Sequence, residues 1–169
     1  MNLQKLVSEI IPLPPNRENR EGFSNTHLID QLNQYEREQV ENALIDKLSN
    51  HADKSDIDIL VVETLAYMKS EKSLLVLYNL LKKASDNMEK LAIAVFIFEI
   101  KKDQRLIDIG IEAFKQISNK SSIYAKYSIV SGIHYLKQFE DSKTNNLIRE
   151  YANHRDYLIS YNAKQALGM

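Results

Sequence analysis

The sequence predicts an all-α fold: a short right-handed α-solenoid of about four antiparallel helix pairs, closed at its start by a helical cap. Three observations predict it. The prolines are all confined to Pro12-Leu13-Pro14-Pro15, so the chain after residue 30 lacks the residue that most disrupts helices. From Tyr35 onward, apolar residues recur three or four apart (Val40, Leu44, Leu48; Leu60, Leu65, Met68; Leu77, Leu81), the spacing of one helix face. Finally, the chain repeats itself weakly at intervals of 32, 36 and 31 residues, measured between Met68, Ile100, Leu136 and Leu167.

Taken in order, a first short helix is expected over 3–11, ended by the prolines. A polar, aperiodic loop follows over 16–22, and Phe23 with Leu28, Ile29 and Leu32 returns the chain to the domain. Residues 1–34 are therefore read as an N-terminal cap and 35–169 as the repeat domain. The expected pairs are 36–49 with 55–69, 71–84 with 87–101, 103–118 with 121–138, and 141–152 with 155–168. Ser55 with Asp58, and Asp86 with Glu89, have the spacing of N-terminal capping boxes. Each of the four anchors closes the second helix of its pair. A lone pair cannot bury its apolar side, whereas stacked pairs share a continuous core. The stretch 91–100 is nearly all apolar and should be the most buried.

The pattern resembles HEAT-like repeats. Ala163-Lys164-Gln165-Ala166-Leu167-Gly168 has the Ala-x-x-Ala-Leu-Gly ending typical of their second helices. Leu65-Ala66-Tyr67-Met68, running on into Ser70-Glu71-Lys72-Ser73-Leu74-Leu75, resembles the same helix end leading into the next unit. The resemblance covers about residues 36–168. It departs where the family's second helix usually carries arginine, near Leu60 and Leu91, and in the absence of proline from the first helices. It implies a protein-binding scaffold, and in small bacterial members an immunity-type or enzyme-regulating role. The frequency of Asn, Lys and Ile suggests an AT-rich, bacterial genome.

Composition narrows the chemistry. Cysteine is absent, which excludes disulfides, thiolate metal sites and cysteine nucleophiles. The N-terminal stretch lacks the apolar run and cleavage site of a signal peptide, and no apolar run approaches the ~20 residues of a membrane span, so a cytoplasmic protein is expected. His27, His51, His134 and His154 are scattered, no Gly-x-Ser-x-Gly elbow occurs, and four glycines form no phosphate loop. Ser131-Gly132 beside His134 is read as helix packing, Gly132 permitting close approach. No catalytic residue, metal or cofactor is expected, and the chain is read as a non-enzyme.

Binding is the remaining reading. The residues one and five positions before each anchor pair Tyr67 with Glu63, Glu99 with Val95, Tyr135 with Ser131, and Ala166 with Asn162. Four-apart residues share a helix face, so Glu63, Tyr67, Val95, Glu99, Ser131, Tyr135 and Asn162 are the expected protein-binding stripe on the inner face. Tyr124, Tyr127 and Tyr151 are further candidates. Residues 36–63 hold eight acidic and three basic side chains, and Glu38, Glu41 and Asp56 form an expected acidic patch for a partner with a basic surface. Two other functions stay open. One is nucleic-acid binding of the DNA base-repair type, drawing on Lys82, Lys83, Lys101, Lys102, Arg105 and Lys115, against which stand a net charge of −1 and no tryptophan. The other is a structural subunit of a larger assembly.

Overall fold

The computed structural model describes residues 2–11, 24–50, 58–119 and 125–169. Among them the chain is all-α, with nine α-helices, two short 3-10 segments and no strand. The helices are α1 (Leu3–Ile10), α2 (Gln34–Asn50), α3 (Ile59–Tyr67), α4 (Leu74–Lys83), α5 (Asn87–Lys101), α6 (Arg105–Ser118), α7 (Ala125–Gln138), α8 (Ser142–Tyr151) and α9 (Tyr157–Leu167). None is long and apolar enough to cross a membrane. The chain divides into two compact units, Met1–Leu80 and Leu81–Met169.

Local chemistry accounts for the helix starts. Asn33 and Glu36 form a reciprocal box at the head of α2. The Glu36 N–H donates to Asn33 Oδ1 at 3.0 Å, and the Asn33 N–H donates to Glu36 Oε2 at 3.1 Å. Asp86 accepts from the N–H groups of Met88 and Glu89 at α5, and Asp156 from those of Leu158 and Ile159 at α9. Asp141 caps α8 through the Lys143 N–H. Ser55 lies outside the described residues. Asp58, its expected partner, is the residue before α3 but makes no cap bond, and its carboxylate instead meets Lys47 at 2.7 Å.

The helix ends reveal a regularity that residue types conceal. The helices α3, α5, α7 and α9 are each followed, within two residues, by one in the left-handed region: Lys69 (φ 55°), Lys102 (φ 55°), Glu140 (φ 50°) and Gly168 (φ 71°). Behind Lys69 and Gly168 the backbone closes as a Schellman motif. Ser70 N–H donates to Leu65 O and Lys69 N–H to Ala66 O; Met169 N–H donates to Lys164 O and Gly168 N–H to Gln165 O. Only the last position holds glycine, for which this conformation carries no Cβ penalty. Glu140→Gly should therefore raise stability by about 0.5–1 kcal/mol, read as a higher urea midpoint with unchanged slope.

In the first unit α2 packs against α1 and α3. It buries Val40, Leu44 and Leu48, the expected stripe, while α3 buries Val61, Val62, Leu65 and Ala66. The Asn25 N–H donates to Ile10 O and its Nδ2 to Glu9 O, each at 2.7 Å, satisfying carbonyls at the end of α1. The proline segment and loop expected to cover this end lie outside the described residues.

In the second unit α5 packs against α6 and α7, α7 against α6, α8 and α9, and α8 against α9. The run Leu91–Phe98 is buried throughout, as its apolar character requires. Two glycines receive phenylalanine rings. A Cβ on Gly132 would stand 2.6 Å from Phe114, and one on Gly110 would stand 2.6 Å from Phe139. Gly132 thus admits the close approach of α6 and α7 expected of it. Phe114 packs edge-to-face on Tyr151, and Phe139 on Phe98.

Candidate interaction surface

The expected stripe divides between the two units, and each part is described in its own setting. In the first unit Glu63 is half-buried and Tyr67 is 41% exposed. The Tyr67 hydroxyl is already engaged. It donates to Asp30 Oδ2 at 2.6 Å, tying α3 to the 3-10 segment Thr26–Gln31. That hydrogen bond, followed by burial and the negative charge of Asp30, raises the phenol above its ordinary 10.0. Folding therefore favours the neutral phenol. The resulting stabilisation is complete below pH 10.0 and is lost as pH rises through the higher folded value. In Tyr67→Phe this alkaline loss should vanish, seen as a flatter stability profile in urea unfolding between about pH 8 and about pH 11.

The acidic patch is more internally committed than its sequence suggests. Glu41 pairs with Lys72 at 3.2 Å and Asp58 with Lys47. Glu36 serves the α2 cap, and Glu38 accepts from Gln34 at 2.9 Å. Asp56 lies outside the described residues. Charges satisfied within a fold have less field to offer a partner.

In the second unit Val95 is 0% exposed. It belongs to the core of α5 and offers no surface, because the face that periodicity assigned to binding is turned inward there. Glu99 and Tyr135 are half-buried, and Tyr135 rests edge-on against Phe96 at 6.0 Å. Ser131 is exposed. Asn162 bridges to a residue that the stripe omits, since His134 Nε2 lies 3.1 Å from Asn162 Oδ1. Asn162 Nδ2 donates to Leu158 O at 2.8 Å, which turns Oδ1 towards the imidazole and makes Nε2 the donor. This bond joins α7 to α9 at the surface.

The two helices that this bond joins also carry the exposed tyrosines described in this unit. Tyr127 is 56% exposed, Tyr157 79% and Tyr161 47%. Tyr127, Ser131 and His134 stand four and three apart and are all exposed, so they form one stripe of α7. Tyr157, Tyr161 and Lys164 form the corresponding stripe of α9, with the two phenol rings stacked at 5.9 Å. Lys126 lies over the Tyr127 ring at 5.2 Å. Tyr127 was legible as a candidate by its residue type. Tyr157 and Tyr161 were not singled out, because the stripe took only the positions one and five before Leu167, which are Ala166 and Asn162.

The basic set has a mixed fate. Its members are exposed, but Arg105 makes a bidentate pair with Asp103 at 3.0 and 2.7 Å, and Lys102 lies over the Phe98 ring. Among the described residues no group of three or more His, Asp or Glu side chains could hold a metal ion. Comparison of the chain with protein-family models, with curated proteins and with solved structures finds no match.

Proposed function

We propose that the chain is a non-catalytic protein-interaction module built of HEAT-like helical repeats, acting in a cytoplasmic setting as a regulator or immunity-type binder. One observation carries this reading: α7 and α9 pack together, are joined at the surface by the His134–Asn162 bond, and expose Tyr127, Tyr157 and Tyr161. Tyrosine joins a large ring to a hydroxyl and loses little side-chain freedom on binding, which makes it a frequent interface anchor. The repeat assignment draws support from the contacts of α5 with α7, α7 with α9 and α6 with α8, the alternation expected when pairs stack. The left-handed residues after α3, α5, α7 and α9 recur at intervals of 33, 38 and 28 residues, close to the spacing of the anchors.

The test is capture from source-cell lysate on the tagged chain, with the bound proteins identified by mass spectrometry. One stoichiometric protein partner is expected, released when Tyr127, Tyr157 and Tyr161 are changed together to alanine in a chain that keeps its helical circular dichroism. Recovery of nucleic acid alone, or of proteins freed by nuclease, would replace this reading with the nucleic-acid one.

A further inference from the structure

The exposed face of α7 and α9 has a chemical bias beyond its tyrosines. Neither helix contains an aspartate or a glutamate, while together they carry Lys126, Lys137 and Lys164. Arg155, exposed just before α9, adds a further cation. The nearest carboxylate in sequence, Asp156, is spent on the α9 N-cap. The unit as a whole (residues 81–169) has 14 basic and 10 acidic residues, a net of +4. The face thus combines phenol hydroxyls, an imidazole and cations with no free carboxylate of its own helices.

We infer that this face docks an acidic polypeptide segment, one in which aspartate or glutamate alternates with apolar side chains. The inference rests on the protein-interaction reading and names the partner's chemistry. Carboxylates of such a segment would meet Lys126, Arg155 and Lys164 and accept from the phenol hydroxyls. The chain itself makes this contact where the Tyr67 hydroxyl donates to Asp30. Apolar side chains would cover the rings of Tyr127, Tyr157 and Tyr161. A second copy binding through the same face would bring its cations against their own kind, which disfavours a symmetric dimer there. A nucleic-acid strand would need a denser track of cations than three on two helices and one beside them.

The experiment is selection of random peptides of about a dozen residues on the intact folded chain, followed by affinity measurement on variants. The expected peptides are rich in Asp and Glu beside apolar residues and bind more weakly as salt rises. Lys126→Glu/Arg155→Glu/Lys164→Glu should weaken them by at least about tenfold. Lys82→Glu/Lys101→Glu/Lys115→Glu, the same change of net charge placed elsewhere in the unit, should leave them within about twofold. Both variants are checked for native circular dichroism. Equal losses in the two variants, enriched peptides without acidic bias, or no enrichment at all would overturn the proposal. So would tighter binding of an oligothymidylate of about 20 nucleotides that the first variant abolishes. Acidic peptides that bind but ignore the α7–α9 variant would overturn this site while leaving the interaction reading intact; failure of both selection and lysate capture would end both.

Discussion

Phe114→Ala is expected to lower the stability of the chain by about 3–5 kcal/mol, the range for removing a buried aromatic ring. The side chain is 0% exposed, packs edge-to-face on Tyr151 and fills the space beside Gly132. The loss includes both the transfer of the ring from water and the void it leaves. The converse substitution is informative as well. Gly132→Ala places a methyl 2.6 Å from the ring, closer than van der Waals contact allows. It should cost about 1–3 kcal/mol by overpacking, reduced by the roughly 1 kcal/mol by which alanine favours a helix over glycine. Combined with Phe114→Ala, the new methyl enters a vacated space and its clash disappears. The double variant should then be more stable than the sum of the two single losses implies. Urea unfolding of all four chains measures this coupling, and strict additivity would mean that the ring and the glycine do not constrain each other.

Leu44→Ala should destabilise the first unit by about 2–5 kcal/mol. Leu44 is the central member of the Val40, Leu44, Leu48 stripe and is wholly buried, on a helix packed against both α1 and α3. Val40 and Leu48 are the only other residues that α2 buries, so the change removes the middle third of its buried stripe. Urea unfolding followed by circular dichroism should show the fall in midpoint. Leu75→Ala is the control, since Leu75 is 77% exposed and its change should stay within about 0.5 kcal/mol. A similar loss in both chains would mean that burial in α2 does not govern the stability of this part.

The contrast between Leu44 and Leu75 separates two kinds of legibility. Both are leucines within helices expected from spacing alone. The three-or-four spacing around Leu44 told which way its helix faces, because α2 alternates a narrow apolar stripe with charge. In α4, apolar residues lie on more than one side, and the pattern does not choose among them. The same ambiguity affected Val95. Its helix is apolar nearly all round, so a register taken from its neighbours placed on the surface a residue that the core encloses. Tyr157 and Tyr161 show the reverse: both are exposed, although the stripe taken from the repeat register left them out.

By itself, the sequence determined the all-helical class, the succession of the nine helices found among the described residues, and most of their boundaries. Those properties are written in contiguous residues: proline confined to one turn, apolar spacing along each face, and the aspartate cap at Asp86 that acts on the next turn only. Only the tertiary structure decided which polar groups remain available. Glu41 is taken by Lys72, the Tyr67 hydroxyl by Asp30 and Asn162 by His134, each across 28 to 37 residues of sequence. The left-handed ends at Lys69, Lys102 and Glu140 were equally hidden, since lysine and glutamate do not announce positive φ as glycine does. Availability depends on what packs beside a group, and that is a property of distant residues brought together rather than of any local pattern.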